Sequence, residues 1–137
     1  MRTLILVTIA FSLGCPAGAP SPSTRGSQPT AEIDLDNTRW WLRFHEGRQD
    51  GRIIEIRNEG GSYLCKLVNP GKVLSLIRFQ AGEIYCQLKK VGAARYEGSY
   101  LTRFLDGTQK WRPVTFEPSG GRMRWSEAEN DSWERLP

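Results

Sequence analysis

Turn signals recur about every ten residues along most of this chain, and this rhythm constrains the fold more than any other feature. Glycines, single or paired, separate short apolar runs; they are Gly51, Gly60, Gly61, Gly71, Gly82, Gly92, Gly107, Gly120 and Gly121. Such spacing leaves room for strands and little room for long helices. Evenly spaced short strands are typical of an antiparallel sandwich or barrel.

The apolar runs between the turns predict the strands. They cover residues 39–44, 52–57, 62–68, 73–79, 83–91, 95–104, 110–117 and 122–126. Segment 73–79 is apolar on both faces, which predicts a central strand covered on both sides, and 127–136 is predicted as a closing helical turn. Links rich in Asn, Asp and Gly favour hairpins between consecutive strands. The predicted fold class is therefore all-β, a small antiparallel meander of seven or eight strands closing as a barrel or a two-sheet sandwich.

Alternation within the runs assigns the faces, because successive side chains of a strand point to opposite sides. One face of 95–104 is predicted to point inward, and so are several aromatic residues on other strands. The inward set is Tyr63, Tyr96, Gly98, Tyr100, Thr102, Phe104, Met123 and Trp125. So many inward rings predict a filled interior. Pro113 has no N–H to donate, which predicts an edge position or a bulge.

Residues 1–15 carry an export signal. Arg2 precedes the apolar run 4–13, which is shorter than the roughly 20 residues needed to span a bilayer but fits a secretory signal. The run ends in Ser12-Leu13-Gly14-Cys15, which resembles the lipobox of bacterial lipoproteins, with Ser12 and Leu13 in exchanged places. The resemblance implies cleavage before Cys15, attachment of lipid such as palmitate, and anchoring outside the cytoplasm.

The residues after Cys15 bear on the destination of the exported chain. Pro16 stands where an Asp would retain a lipoprotein at the inner membrane, so the outer membrane is expected if the host has one. The alternative is ordinary secretion after cleavage at Ala19, which ends a small-x-small triplet. Residues 16–30 hold no aliphatic side chain larger than alanine and predict a disordered tether of up to roughly 45 Å. The organisation is signal peptide 1–14, lipidated cysteine and Pro/Ser/Gly tether 15–30, and a single β domain 31–137.

An early tryptophan and a late basic residue resemble a feature of calycin-type barrels such as lipocalins. Trp40 and Arg135 take those places, and the resemblance implies a closed barrel in which the two residues pack together. The Gly-x-Trp signature of lipocalins is missing and the chain is short for that family. The resemblance therefore bears on the fold alone.

The three cysteines form one consistent scheme. If Cys15 carries lipid, then Cys65 and Cys86 remain as an even pair in an oxidising compartment, which predicts a disulfide. A bridge closing this loop would stabilise the domain by roughly 3 kcal/mol. The alternative is two buried thiols. No metal site and no cofactor are expected, because the spacing does not suit paired thiolates and His45 is the single histidine.

The sequence holds no constellation that indicates catalysis. A nucleophile with a general base is not apparent, so the protein is expected not to be an enzyme. The formal charge is +4, with basic residues interspersed along the chain, so nucleic acid is not an expected partner. Attraction to anionic lipid or to a wall polymer stays open.

One group of side chains indicates a binding surface. If Trp40 faces inward, Trp41 faces outward between Arg39 and Arg43, and a flat indole flanked by guanidinium groups suits sugars or anions. The alternatives are a strand covered on both faces, or arginine stems that merely pack on the ring. The expected function is a lipid-anchored binding or scaffolding lipoprotein of the cell envelope, with the membrane, a wall glycan or an envelope protein as partner. A secreted hydrolase, a hydrolase inhibitor and a carrier of a small apolar ligand are the alternatives.

Overall fold

The computed structural model describes residues 32–137, which fold into a closed barrel of eight antiparallel strands. The strands are β1 (Thr38–His45), β2 (Arg48–Glu59), β3 (Ser62–Asn69), β4 (Ile84–Gly92), β5 (Arg95–Arg103), β6 (Gln109–Ser119), β7 (Arg122–Trp125) and β8 (Trp133–Leu136), with helix α1 (Gly71–Leu76) between β3 and β4. Each strand pairs with the next, and β8 returns to β1. The predicted all-β meander is confirmed, and it closes as a barrel. The predicted signal peptide, Cys15 and the tether lie outside the described residues.

The meander gives the barrel two ends, which differ in what lies beyond the strands. At the near end, where β1 begins, the chain arrives through residues 32–37, and the Ile33 N–H donates to the Ala93 carbonyl at 3.2 Å. Leu35 is fully buried there, and its N–H donates to the Tyr96 hydroxyl at 3.3 Å. At the far end, where β1 ends, lie α1, the turn 104–108 and the loop 126–132. The near end is therefore closed by the incoming chain.

Large side chains fill the interior, as alternation predicts. The bulkiest fully buried ones are Trp40, Trp133, Arg52, Tyr85, Tyr96 and Phe116. The rings contact one another edge to face, with centroids 4.9 Å apart for Tyr63 and Tyr96 and 5.6 Å apart for Trp125 and Trp133. Aromatic rings prefer this arrangement to stacking face to face, and each buries a large apolar area. Burial of this set supplies the main driving force for closing the barrel.

The prediction of a central strand over 73–79 is wrong, because this segment begins inside α1 and continues as a loop. A short apolar run is compatible with either a strand or a helix, and contacts with the rest of the fold decide between them. Here the Asp50 carboxylate accepts the Val73 N–H at 3.0 Å and so favours the helical turn. Leu74 and Phe79 point into the core, while Leu76 stays exposed.

The predicted closing helical turn over 127–136 is also wrong, because its last residues form β8. This strand pairs with β1 on one side and β7 on the other. Trp133 is fully buried, so the strand is held by the core as well as by its ladders. The eighth strand of the barrel is therefore β8 and not segment 73–79.

Two predictions on single residues have different outcomes. Phe104 is 45% exposed and not inward, because β5 ends at Arg103 and the Phe104 N–H donates to the Thr108 carbonyl in a turn. Pro113 lies on the part of β6 that extends beyond β7, since those strands pair only over residues 116–119 of β6. That part of β6 has a partner on one side only, so the predicted edge position of Pro113 agrees with the structure.

Candidate functional site

The far-end interior is organised by a bulge in β4. Cys65 pairs with Cys86 and Lys66 pairs with Ile84, which leaves Tyr85 as an extra residue between the two pairs. A bulge turns consecutive side chains to the same side, and Tyr85 and Cys86 are both buried. Burial raises the pKa of the Tyr85 hydroxyl well above its usual value. The hydroxyl therefore stays protonated and can both donate and accept a hydrogen bond.

A buried ion pair faces this hydroxyl. Arg52 Nη1 donates to the Tyr85 hydroxyl at 2.9 Å, and Arg52 Nε lies 3.2 Å from Asp50 Oδ2. Asp50 also accepts the Val73 N–H, so the pair connects β2, β4 and α1. The chain passes closely over the pair at Gly71, which has φ +68°, and a Cβ there would lie 2.8 Å from the Arg52 backbone nitrogen. The pair therefore positions α1 across the far end of the barrel.

Aromatic rings enclose the guanidinium group. Its central carbon lies 5.3 Å from the Tyr85 ring centroid and 5.9 Å from that of Trp125. An arginine keeps its proton at any ordinary pH, and its carboxylate partner is already engaged. The guanidinium group therefore keeps a positive charge in a fixed position but cannot take up a further proton. The cluster is therefore suited to positioning and not to acid–base chemistry.

A second polar link lies beside it. His45 Nδ1 and Asp131 Oδ2 are 2.5 Å apart, and Asp131 Oδ1 accepts the Glu46 N–H at 2.9 Å. The link ties the β1–β2 turn to the loop between β7 and β8. A histidine held by an aspartate is also part of a hydrolase triad, but within residues 32–137 His45 makes no hydrogen bond to a hydroxyl or thiol. The pair acts here as a structural tie.

The described residues contain neither a cluster of metal ligands nor a helix that could span a membrane. Residues 32–137 contain no cluster of three or more His, Cys, Asp or Glu side chains placed to hold a metal ion. Within the same range, no helix has the length and apolar character required to cross a bilayer.

Exposed apolar side chains are concentrated at the far end. Within residues 32–137, six of the seven large ones lie there, namely Phe44, Val68, Leu76, Phe104, Leu105 and Trp111. Leu105 is 83% exposed at the tip of the β5–β6 turn, and Leu76 is 77% exposed on α1. The seventh, Val91, lies at the near end. Exposed apolar surface gathered in one place commonly marks an interaction site.

Basic side chains without acidic partners lie among these apolar residues. They are Arg48, Lys72, Arg78, Lys110 and Arg112, all exposed, and none forms an ion pair with another residue of the range 32–137. Four exposed acids, Glu46, Asp106, Glu127 and Glu129, lie at the same end. We call this set of six apolar and five basic residues the far-end rim.

Specific contacts hold the parts of the rim together. Arg103 Nη1 donates to the Arg78 carbonyl at 2.7 Å, and Nη2 contacts Glu83 Oε1 at 2.8 Å. The hydrogen bond from Arg103 holds the pKa of Glu83 below its usual value. Lys72 Nζ donates to Gln49 Oε1 at 3.2 Å, which joins α1 to β2. These contacts join α1 to β2 and the segment after α1 to the β5–β6 hairpin, while Phe44 on β1 and Val68 on β3 complete the rim.

Elsewhere on the barrel, several basic residues are matched by acids, although Lys89, Arg122 and Arg135 also form no ion pair within residues 32–137. On the outer face of the strands, Arg39 contacts Glu55 at 3.2 Å, and Arg95 contacts Glu117 at 3.3 Å. The outer surface also has two open clefts of about 640 and 690 Å³, and their linings include these ion-paired side chains. The far-end rim differs because its unpaired cations lie at the same end of the barrel as most of the exposed apolar side chains of the described residues.

The predicted surface patch on β1 is assembled, but its groups contact one another. Trp41 is half-buried on the outer face, and the Arg43 guanidinium lies 4.6 Å from its ring centroid. Arg43 also contacts Glu134 at 3.7 Å, and Arg39 contacts Glu55. One face of the indole is thus covered and both guanidinium groups have acidic partners. This matches the alternative in which arginine stems pack on the ring.

The remaining sequence candidates lie in the core or near it. Cys65 and Cys86 are directly opposite across β3 and β4, fully buried, and present as thiols. Burial raises the pKa of the Cys65 thiol well above its usual value. Trp40 and Arg135 are cross-strand partners on β1 and β8. Trp40 is buried with its indole N–H donated to Thr38 Oγ1 at 2.8 Å, and Arg135 is exposed.

Neither the buried ion pair nor the rim was predicted from the sequence. Asp50 was expected in a loop, although alternation puts Asp50 and Arg52 on the same face as the apolar Ile54 and Ile56. That pattern was the available signal for an interior charge pair. For the rim the signal was weaker, since its residues come from separate segments that meet only when the barrel closes.

Comparison with known proteins identifies no relative of this chain. No protein-family model matches this chain, and no match is found among the curated proteins or the solved structures compared with it. The function is therefore argued from the residues and their geometry.

Proposed function

We propose that this protein is an exported, lipid-anchored lipoprotein of the cell envelope whose barrel binds or scaffolds a partner and does not catalyse a reaction. The observation that carries the proposal is the far-end rim, where exposed apolar side chains and basic side chains without ion-pair partners occur at the same end of the barrel. Surfaces of this composition are energetically unfavourable in isolation and are typical of binding sites. The rim is accordingly the proposed binding surface.

The position of the rim relative to the chain supports this proposal. The described chain begins at Glu32 at the near end, and the preceding residues are the predicted tether and Cys15. A lipid on Cys15 would therefore be attached at the end opposite to the rim. A tether of up to roughly 45 Å is long enough to let the barrel reorient, so that the rim can face either the anchoring membrane or a partner beyond it.

The packing of the interior counts against the carrier alternative. A carrier of a small apolar ligand needs space inside the barrel, whereas here Trp40, Tyr96, Phe116 and Trp133 are fully buried in it. An eight-stranded barrel is just wide enough for side chains to fill it. Binding on the outside is the function that this packing supports.

The lipid anchor is tested by mass spectrometry and by partitioning. The mature protein is expected to begin at Cys15 with acyl chains attached, and an intact Met1 or a free terminus beyond Cys15 would contradict the proposal. Cys15→Ala is expected to move the protein from the detergent phase to the aqueous phase, because more than one acyl chain is needed for stable anchoring. Ser21→Ala, a neighbouring change in the tether, is the matched control and should leave partitioning unchanged.

Export also bears on the two cysteines of the core. In an oxidising compartment we propose that Cys65 and Cys86 form a disulfide, which leaves no free thiol once Cys15 carries lipid. Their direct opposition in the β3–β4 ladder supports this pairing, since opposed residues of an antiparallel ladder lie within the range of Cα separations that disulfides use.

A further inference from the structure

We infer that the far-end rim binds the surface of an anionic phospholipid bilayer, with Leu105, Phe104 and Trp111 entering the interfacial layer and the basic residues of the rim contacting headgroups. This inference names the partner of the proposed binding surface and rests on the proposed function, because it requires the barrel to be displayed at a membrane face. The lipid surface would be a second contact, separate from acyl chains on Cys15.

The apolar part of the rim has the shape required for insertion. Leu105 lies at the tip of a tight turn in which the Phe104 N–H donates to the Thr108 carbonyl and the Gly107 N–H to the Phe104 carbonyl, each at 2.9 Å. These bonds fix Leu105 in an 83% exposed position and Phe104 in a 45% exposed one. A fixed, protruding apolar tip inserts into an interfacial layer without first losing conformational entropy.

Trp111 extends the same surface along β6. Its indole is 43% exposed and lies opposite Leu101 in the β5–β6 hairpin, of which Leu105 is the tip. Tryptophan is enriched at membrane–water interfaces because its ring is apolar and its N–H is polar. The hairpin thus presents an aliphatic tip followed by an interfacial aromatic residue.

The positive charges of the rim favour a negatively charged partner. Lys110 and Arg112 are the sequence neighbours of Trp111 on β6 and point to the opposite face of the hairpin, while Arg78 is joined to the hairpin through the bond from Arg103 to its carbonyl. These three cations have no ion-pair partner within the described range, so their charges are available to a surface. Each basic residue near an anionic bilayer adds attraction, and apolar insertion together with such attraction is the combination that holds peripheral domains.

The rim suits a broad surface better than a single ligand. Its apolar side chains protrude from the tip of a turn and from the exposed side of α1, and they do not line a cleft. The two open clefts lie on the outer wall instead, with linings that include Glu55 and Glu117. A protruding apolar tip among cations matches a flat, negatively charged surface.

Tryptophan quenching by brominated lipid tests the contact directly. The full chain is mixed with vesicles of phosphatidylcholine and phosphatidylglycerol whose acyl chains carry bromine, which quenches tryptophan on close approach. Trp40, Trp125 and Trp133 are buried and Trp41 lies on the outer wall of β1, so quenching should come mainly from Trp111. Trp111→Phe is expected to remove most of the loss of fluorescence, and vesicles of phosphatidylcholine alone should quench little.

Matched substitutions separate the rim from the rest of the surface. In a Cys15→Ala chain, Leu105→Asp is expected to lower the vesicle-bound fraction at limiting lipid about tenfold, because one fully exposed apolar side chain is lost from the contact. Val91→Asp places the same charge at the exposed apolar residue of the near end and should change nothing. Lys110→Glu at the rim should weaken binding, whereas Lys89→Glu on β4 should not.

The outcomes distinguish this inference from the proposed anchor. Vesicle-bound wild-type protein whose quenching does not depend on Trp111 would overturn the rim contact and leave the anchor standing. Quenching that depends on Trp111 in the Cys15→Ala chain would support the rim contact, whereas native protein isolated without acyl chains on Cys15 would contradict the anchor alone. A dimer, or a complex with wall glycan, that is lost on Leu105→Asp while anionic vesicles remain unbound would also overturn the inference.

Discussion

Arg52 and Asp50 form an ion pair inside the barrel, with Nε and Oδ2 3.2 Å apart and side chains only 2% and 0% exposed. Both charges have left water, so each depends on the other and on neighbouring polar groups for compensation. Tyr85 accepts from the arginine and Val73 donates to the aspartate, which completes part of that compensation. A charge left alone at this position would have no access to solvent.

Removal of the arginine is therefore expected to be costly. Arg52→Ala should lower the free energy of unfolding by about 3–5 kcal/mol, since it leaves the Asp50 carboxylate buried without its counter-ion. The matched control is Arg39→Ala, which breaks the solvent-exposed contact with Glu55 and should lower it by less than about 1 kcal/mol. Urea denaturation of both variants measures the difference. Equal losses would contradict a compensated charge pair in the interior.

The sequence carried enough information for the class of fold but not for its closure. Glycine spacing and alternation indicate short antiparallel strands, because both are local consequences of turn and strand geometry. Segment 73–79 and residues 133–136 were assigned the wrong structure, because their states depend on distant partners. Asp50 favours a helical turn at Val73, and β1 provides the ladder for β8.

Contacts between residues that are distant in the sequence also limit how much of the site can be predicted. The interior position of Tyr85 depends on a bulge, and the register of two neighbouring strands sets a bulge. The rim depends on α1 and the β5–β6 hairpin meeting at one end, joined through Arg103 and Arg78. Trp41 and Arg43, by contrast, lie on one strand, so that their proximity follows from local strand geometry.

The four tyrosines provide a test of the packed interior by pH titration. Burial raises the pKa of Tyr63 and Tyr100 to about 12, and it also raises the pKa of Tyr85 and Tyr96. The folded protein should therefore show little tyrosinate absorbance at pH 10, where half of the tyrosines in a guanidinium-unfolded control ionise. Tyrosinate formation near pH 10 in the folded protein would contradict a packed interior.

The raised pKa values of the tyrosines also make the stability of the fold depend on pH in alkaline solution. A tyrosine whose pKa is higher in the folded state than in the unfolded state contributes stability that is fully present below the unfolded pKa of 10.0. This contribution is lost as the pH rises through the folded pKa of about 12. Denaturant midpoints measured across this window should therefore fall as pH rises. The variant Tyr100→Phe should show a shallower fall than the wild type.

The disulfide proposed between Cys65 and Cys86 is testable in protein isolated from its native compartment. Peptide maps before and after reduction should differ by one linked pair, and reduction should lower the free energy of unfolding by about 3 kcal/mol. Labelling of both thiols in the unfolded, unreduced protein would contradict the bridge. Protein produced in a reducing cytoplasm is the control, and it should keep both thiols buried and slow to react.

The close approach of β4 and β5 at Gly98 leads to a prediction that does not depend on the identity of the binding partner. A Cβ at this position would lie 1.9 Å from the Gln87 carbonyl oxygen, a backbone atom that moves only with its strand. Gly98→Ala is therefore expected to lower the free energy of unfolding by about 1–3 kcal/mol, or more if the ladder separates. Gly121→Ala is the control, because nothing lies within 4 Å of its Cβ, and it should change stability by less than about 1 kcal/mol. Chemical denaturation measures both, and a tolerated Gly98→Ala would contradict this strand spacing.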